Sequence, residues 1–174
     1  MNLNQAKIEL AKTYTTNKFE QIGKNNHFLE VFHILKDEFG IEDENTLIAG
    51  LLHDTLEDTS ATYEELMETF SKEVADVVEE VSHPKNYNQQ QKLEYYEKIK
   101  HISEEGKLIK MADFTSHMRN FIKIYDRNEQ HLFPKFVNND KYVASIREFL
   151  EYCDELSGKE QLYTLTEKLE SYFQ

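Results

Sequence analysis

The segment His53-Asp54-Thr55-Leu56-Glu57-Asp58 concentrates four side chains that can carry chemistry. Imidazole nitrogens and carboxylate oxygens are ligands for divalent ions such as Mn²⁺, Fe²⁺, Zn²⁺ and Mg²⁺. At helical spacing, His53 would lie beside Glu57, and Asp54 beside Asp58. The second pair of carboxylates could bind a water molecule, act as general acid or base, or orient the histidine. The segment therefore predicts either a metal site on a helix or a stripe of solvated charge.

The residues that precede this segment favour the metal site. The run LIAGLL, residues 47–52, predicts a helix that is buried on most sides. An unpaired charge at the end of such a helix would be costly, and a bound cation would offset that cost.

Two further residues are candidates to complete a ligand set. His27 begins a predicted helix with an apolar inner face. Asp113 lies at the edge of the apolar stripe in KLIKMADFTSHMRN and shares a helix face with His117, four residues later. Taken alone, His27 is also compatible with a structural histidine. Four other histidines are interpreted as structural or exposed: His33, His83, His101 and His131.

The elements that must hold these residues are predicted to be helices. The chain has only five Gly and two Pro, and apolar residues recur at helical spacing. The predicted helices cover about 3–20, 27–39, 46–57, 63–70, 72–82, 92–103, 107–124, 140–157 and 160–173. Asp43, Thr62 and Ser71 are predicted N-caps, and Gly106 is predicted to end a helix. The expected architecture is all-α, in a single domain over residues 1–174.

Charge and composition limit the partners. Lys and Arg total 20 against 33 Asp and Glu, which gives a net charge of −13. This balance argues against general binding of nucleic acids or anionic membranes. A phosphorylated small molecule stays compatible, since a metal and a few local cations can reverse the potential inside one cleft. The single cysteine, Cys153, is predicted to be in the core, and the absence of a signal-like or membrane-spanning apolar run predicts the cytoplasm.

The order His27, His53-Asp54, Asp113 resembles the H…HD…D signature of the HD superfamily. More narrowly, LIAGLLHDTLEDTSATYEELMETFSKEVADVVEEVS is similar to the hydrolase domain of RelA/SpoT proteins and the small alarmone hydrolases. KMADFTSHMR resembles the later K-L-A-D-R-x-x-N-x-R block of that family. The resemblance covers about residues 25–122 and implies an HD-domain bundle of about eight to ten helices.

The resemblance also implies a site and a reaction. One metal ion per chain, typically Mn²⁺ in this family, would be held by four side chains: His27, His53, Asp54 and Asp113. Glu57 and Asp58 would be the catalytic carboxylates. The implied reaction removes the 3′-pyrophosphate of guanosine tetra- or pentaphosphate and yields GDP or GTP, with a water molecule that the metal activates.

This sequence departs from the family pattern at several positions. The Pro and Tyr that normally surround the first histidine are missing around His27, and Ser71 replaces a Gly. Ser82-His83 replaces Thr-Lys, while Phe114 and His117 stand where the later block has Arg and Asn. These changes keep every predicted metal ligand, but several fall where the family binds guanine, ribose and phosphates. The substrate is therefore less constrained than the metal site.

Candidate substrate contacts are mostly cations. Those predicted to reach phosphates, or to lie at the site, are Lys24, Lys85, Lys110, His117 and Arg119. Tyr142 could pack against a ribose or a base. Each of the cations is, by itself, more typical of a solvated surface charge than of a substrate contact.

Three alternatives to alarmone hydrolysis stay open at this point. The chain could be an HD phosphohydrolase of another nucleotide, such as a nucleoside phosphate or NADPH. It could be an HD domain without catalysis that binds a nucleotide or a protein as a regulator. It could also be a helical scaffold without a site. The sequence does not predict the oligomeric state.

Overall fold

The structure, a computed structural model, describes residues 3–23, 26–86, 88–132 and 140–173. These residues form ten α-helices and no β-strand, so the all-α prediction is confirmed over the described ranges. The helices are α1 (Leu3–Glu20), α2 (His27–His33), α3 (Glu44–Leu52), α4 (Thr55–Asp58), α5 (Tyr63–Thr69), α6 (Lys72–Val81), α7 (Gln89–Ile99), α8 (Glu104–Asp126), α9 (Asp140–Leu150) and α10 (Lys159–Glu170). A π-helical turn, Ile34–Glu38, continues α2, and a 3₁₀ turn, Gln130–Leu132, follows α8.

The predicted N-caps are present at three helices. The side-chain oxygens of Asp43, Thr62 and Ser71 each accept a hydrogen bond from the backbone N–H three residues later, at 2.7, 3.2 and 3.2 Å. These bonds satisfy amides that have no partner inside the first turn of a helix. The starts of α3, α5 and α6 are therefore fixed by local chemistry.

The helix predicted over residues 46–57 is wrong as a single element, because it is interrupted at His53-Asp54. Helix α3 ends at Leu52, and α4 begins at Thr55. The hydroxyl of Thr55 donates to the carbonyl of Leu52 at 2.6 Å, and the ring of His53 contacts the carbonyl of Gly50 at 2.8 Å. These side chains occupy carbonyls that the amides of a continuing helix would otherwise use.

Two other predicted boundaries are also wrong. Gly106 does not end a helix but lies in the first turn of α8, where its N–H donates to the Ser103 hydroxyl at 3.1 Å. A Cβ at this position would lie 2.9 Å from the Ile102 side chain, so the glycine serves close packing. The helix predicted over residues 140–157 ends at Leu150, and turns connect it to α10.

Helix α3 lies at the centre of the fold. Its residues 46–52 are all buried, and it packs against α1, α2, α6 and α8. Helix α8 is buried along residues 109–116 and contacts α2, α3, α6 and α10. The start of α2, the end of α3 and the middle of α8 therefore meet inside the bundle. Cys153 is buried, as predicted, and no helix of the described residues is long and apolar enough to cross a membrane.

Candidate metal centre

Three elements each contribute one side chain to a compact cluster. His27 is the first residue of α2, His53 lies at the junction of α3 and α4, and Asp113 is in the middle of α8. One ligand atom from each residue lies within 4.8 Å of the other two. His53 and Asp113 are buried, whereas His27 is partly exposed. We refer to these residues as the His27–His53–Asp113 cluster.

The surroundings of His53 test whether the cluster suits a cation. The Nδ1 atom of His53 lies 2.8 Å from the carbonyl of Gly50, which can only accept, so Nδ1 carries a proton. Nε2 is buried, has no hydrogen-bond partner among the described residues, and lies 3.2 Å from Oδ1 of Asp54. A neutral imidazole would direct a lone pair at a carboxylate, and two acceptors in that position need a proton or a cation between them. The donor set therefore fits a divalent metal.

The charged groups around His53 shift the pKa values of His53 and of Asp54. Burial lowers the pKa of His53, but the Asp54 carboxylate, with Asp113, outweighs burial and raises the pKa to about 9. Burial likewise opposes ionisation of Asp54, and the neighbouring His53 holds the pKa of Asp54 at about 2. Asp54 is thus a charged group beside the cluster, although it is not among the three residues whose ligand atoms converge. Its role as a fourth ligand stays a prediction.

Asp113 is charged because a buried cation accompanies it. Lys110 donates to Oδ2 of Asp113 at 2.7 Å, and both side chains are buried. Burial raises the pKa of Asp113, but the charge of Lys110 outweighs it and keeps that pKa well below its usual range. Oδ1 of Asp113 lies 3.0 Å from Nε2 of His27, whose Nδ1 lies 3.2 Å from the hydroxyl of Ser116. Because a hydroxyl can donate or accept, Ser116 suits either tautomer of His27.

Glu57 and Asp58 lie on α4. One oxygen of Glu57 accepts a hydrogen bond from the backbone N–H of His83 at 3.1 Å, and the other lies 3.1 Å from Nε2 of the same residue. Burial raises the pKa of Glu57 to about 7, although the charge of Lys110 opposes the rise. The carboxylate of Asp58 lies 3.8 Å from Nζ of Lys85.

His83 is a residue that sequence reasoning interpreted as structural or exposed. The structure instead brings its ring to Glu57. The signal in the sequence is that Ser82-His83, which follows α6, replaces the Thr-Lys of the resembling family.

His117 and Tyr142 lie beside the cluster. The ring of His117 stacks on that of His27, with centroids 5.1 Å apart and planes 5° apart. Nε2 of His117 lies 3.6 Å from Oδ1 of Asp113, and its Nδ1 lies 3.3 Å from the hydroxyl of Tyr142. Burial lowers the pKa of His117, although the charge of Asp113 opposes this. His117 therefore borders the cluster, and Tyr142 contacts His117.

Arg119, one of the predicted phosphate contacts, is not brought to the cluster. Arg119 donates two hydrogen bonds to the carboxylate of Glu38, at 2.7 and 2.6 Å, from another face of α8. Lys24 lies outside the described residues. Their roles as substrate contacts stay predictions.

A helical bundle in which two histidines and an aspartate converge from separate helices is the arrangement of one class of proteins, the HD domains. The sequence pattern of the HD domain matches residues 8–136. The chain belongs to the HD-domain family.

Several of the similar proteins from different organisms have the same name. The chain is 42% identical over 96 residues to the guanosine-3′,5′-bis(diphosphate) 3′-pyrophosphohydrolase MESH1 of Xenopus tropicalis, a match that covers 55% of this chain and 54% of that protein. It is 40% identical over 96 residues to the human protein of the same name, with the same coverage. The matched segment thus spans about half the length of these relatives. The bifunctional (p)ppGpp synthase/hydrolase SpoT of Escherichia coli K12 is 32% identical over 128 residues, which cover 74% of this chain and 17% of that protein.

Solved structures extend the likeness over most of the chain. A metazoan orthologue of SpoT, described as hydrolysing ppGpp and acting in starvation responses, superposes with a TM-score of 0.72 at 26% identity, covering 97% of this chain and 94% of that one. A protein of Listeria monocytogenes EGD-e superposes with a TM-score of 0.67 at 25% identity, covering 82% and 92%. The HD-domain helical fold is therefore shared with a ppGpp hydrolase.

Proposed function

We propose that this chain is a metal-dependent guanosine-3′,5′-bis(diphosphate) 3′-pyrophosphohydrolase, which releases pyrophosphate from guanosine tetra- or pentaphosphate and leaves GDP or GTP. The observation that carries the proposal is the convergence of ligand atoms of His27, His53 and Asp113 to within 4.8 Å, with the Glu57–Asp58 pair on α4, the helix that follows His53 in the chain. The names of the similar proteins support the choice of reaction.

The cluster would hold one divalent cation, for which we propose Mn²⁺. Its ligands would be the converging residues of the cluster, with Asp54 as the fourth. A cation so held supplies Lewis acidity to a phosphoryl oxygen and lowers the pKa of water. The mixed nitrogen and oxygen donor set suits Mn²⁺, Fe²⁺ and Zn²⁺, so the choice of Mn²⁺ rests on the resemblance.

Residues of α4 would carry out the proton transfers of the reaction. Glu57, with a pKa near 7, can take a proton from the attacking water and return it to the leaving oxygen at neutral pH. Asp58 would orient the water from the same helix. Lys110 keeps Asp113 ionised, so that Asp113 can serve as an anionic ligand at any pH near neutrality.

The substrate is an anion that meets a chain of net charge −13, so local cations must oppose the overall field. Lys85 lies near Asp58 and is exposed, and His117 with Tyr142 borders the cluster. We propose that Lys85 contacts a phosphate and that His117 and Tyr142 contact ribose or base.

Hydrolysis of another nucleotide is the second candidate, and the α8 block favours it. Phe114 is buried against Phe149 and Tyr142, where the resembling family has a cation. His117 bonds to Tyr142 in place of the family's Asn. A base pocket with these changes can differ in selectivity while the metal chemistry is kept.

A product assay separates the candidates. Purified protein with MnCl₂ would be incubated with guanosine tetraphosphate, NADPH and nucleoside phosphates, and products would be followed by chromatography. We expect GDP and pyrophosphate from the alarmone, loss of turnover in His53→Ala, and normal turnover in His101→Ala, a change at an exposed histidine. Turnover of NADPH or a nucleoside phosphate without attack on the alarmone would favour the second candidate. No turnover of any nucleotide would favour a regulator that only binds.

The domain organisation of this chain and its cellular compartment are part of the same proposal. A single HD domain over residues 1–174 and a place in the cytoplasm both rest on the sequence patterns.

A further inference from the structure

Glu57 is held at both carboxylate oxygens by one residue from another segment. The backbone N–H of His83 donates to Oε1 at 3.1 Å, and the ring Nε2 of His83 lies 3.1 Å from Oε2. The two residues are 26 positions apart, one on α4 and the other two residues after the end of α6. A two-point contact of this kind fixes the plane of the carboxylate as well as its position.

The protonation of the other ring nitrogen of His83, Nδ1, limits where a proton can lie in the contact with Glu57. Nδ1 of His83 lies 3.0 Å from the carbonyl of Pro84, which can only accept, so Nδ1 carries a proton. The proton between Nε2 and Oε2 then belongs either to Glu57, with a neutral imidazole, or to His83, with a carboxylate. Both states make one hydrogen bond, and they differ only in where the proton resides.

We propose that His83 is a positioning residue of the hydrolytic site, which fixes the Glu57 carboxyl group and shares one proton with it. The inference rests on the proposed function, in which Glu57 handles the protons of the reaction. Transfer of the shared proton to Nε2 of His83 leaves Glu57 as a carboxylate, which can take a proton from water and give it to the leaving oxygen. The shared proton can then return to Glu57, so the pair begins and ends the reaction with one proton.

The packing around the pair supports this exchange. The His83 ring is half-buried, and the ring of Tyr95 on α7 meets it edge-on, with centroids 5.0 Å apart. The hydroxyl of Tyr95 is engaged by the carbonyl of Val81 at 2.7 Å. Burial raises the pKa of Glu57 to about 7 and lowers the pKa of His83 from its ordinary value, so burial shifts the shared proton from His83 towards Glu57.

Other charges face the pair from the neighbouring helices. Lys110 on α8 lowers the pKa of both Glu57 and His83, whereas Asp54 and Asp113 raise both. Each of these charges thus shifts the pKa values of the two groups in the same direction.

Two substitutions at His83 distinguish its role in positioning the Glu57 carboxyl group from its role in sharing a proton with that group. In His83→Gln, the side-chain amide can donate to Glu57 near the position of Nε2 but cannot take a proton. In His83→Asn, the amide can replace Nδ1 opposite the Pro84 carbonyl but cannot reach Glu57. The matched control is His101→Gln, at an exposed histidine.

The kinetic experiment measures pyrophosphate release from guanosine tetraphosphate with Mn²⁺ over a pH series. We expect His83→Asn to lower kcat by about 10- to 100-fold with KM and Mn²⁺ affinity unchanged, as for other partners that orient a reacting group. We expect His83→Gln to retain part of kcat and to shift the acidic limb of the pH profile, and the control to match the parent protein. Equal kcat and pH profiles for all variants, or a loss of Mn²⁺ binding together with activity, would overturn the proposal.

A measurement without substrate keeps this proposal distinct from the proposed function. Nitrogen-15 NMR of the His83 ring would be recorded in the parent protein and in Glu57→Gln. We expect a protonated Nδ1 throughout, and a shift of the Nε2 signal when Glu57 is replaced. A neutral ring protonated at Nε2, or signals unchanged in Glu57→Gln, would refute the pairing. If the pairing is found but the alarmone is not hydrolysed, the proposed function fails and the pair stands.

Discussion

Lys110 illustrates how single residues set the charge of the site. Its ammonium lies 2.7 Å from Asp113, and the two side chains are only 8% and 7% exposed. It also lies over the ring of Phe114, 4.9 Å from its centroid. An ion pair this buried adds little net stability, but removal of one partner leaves the other charge uncompensated.

We therefore expect Lys110→Met to destabilise the protein by about 3–5 kcal/mol, measured by urea unfolding. In the double variant Lys110→Met/Asp113→Asn, the loss should be smaller than the sum of the two single losses, because no isolated charge is left. Lys123→Met, at an exposed position of the same helix, is the control and should change stability little. Additive losses would contradict the expectation.

At the scale of elements, α10 is joined to the end of the π-helical turn by a close contact at Gly158 and by a hydrogen bond from Gln161. Gly158, directly before α10, has a φ of +91°, and a Cβ there would overlap the buried ring of Phe39. Nearby, Glu38 accepts from Arg119 of α8 and from Gln161 of α10 at 2.6 Å. One acidic residue thus links the end of the π-helical turn to two helices.

Gly158→Ala should cost stability in two ways. The left-handed conformation costs an L-residue about 1–2 kcal/mol, and the overlap with Phe39 adds about 1–3 kcal/mol. Gly40→Ala separates the two contributions, because Gly40 has a φ of +71° but no atom within 4 Å of an added Cβ. We expect urea unfolding to give a clearly larger loss for Gly158→Ala. Equal losses would mean that Phe39 moves without cost.

The Glu38 network predicts a dependence of stability on pH. The hydrogen bonds from Arg119 lower the pKa of Glu38 from its ordinary value of 4.5. A lowered pKa in the folded state stabilises the fold above about pH 4.5, and this contribution is lost as the pH falls through the folded value. The parent protein should therefore exceed Glu38→Gln in stability by about 1 kcal/mol at neutral pH, with no difference in acid.

Thermal midpoints over a pH series would measure this difference. Glu42→Gln, at an exposed carboxylate, is the control and should lie close to the parent protein throughout. A gap between Glu38→Gln and the parent protein that widens on acidification would exclude the ion pair as its source.

At the scale of the whole molecule, the proposed metal centre is formed by the same helices that form the core. The converging side chains come from α2, from the junction of α3 and α4, and from α8, and helices α2, α3 and α8 are in contact with one another. The unfolded chain has no such convergence, so a cation would bind the folded state alone and stabilise it.

We expect Mn²⁺ at about 100 times its Kd to stabilise the parent protein by about 2.7 kcal/mol. His53→Ala should lose this gain, and His27→Ala serves as a second variant because His27 is partly exposed and less involved in the core. His101→Ala should keep the gain. Thermal shift assays with and without MnCl₂ measure the effect, and equal gains in all variants would place the cation elsewhere.

Local features of the fold follow from the sequence by itself. The helices, the caps at Asp43, Thr62 and Ser71, and the His53-Asp54 and Glu57-Asp58 pairs depend on side chains a few residues apart. The family resemblance likewise rests on motifs of fixed spacing. Local hydrogen bonds and helical periodicity are short-range, so a linear pattern contains the information needed to predict them.

Only the tertiary structure decided which groups meet. His27 contacts Asp113 across 86 positions, Arg119 is bound to Glu38 across 81, and His83 reaches Glu57 across 26. The break at His53-Asp54 also required the Thr55 and His53 side chains to compete for the carbonyls of α3. Such contacts depend on how helices pack and where each one ends, and packing is set by the whole core. The sequence therefore determined the chemistry available, and the packed bundle determined its partners.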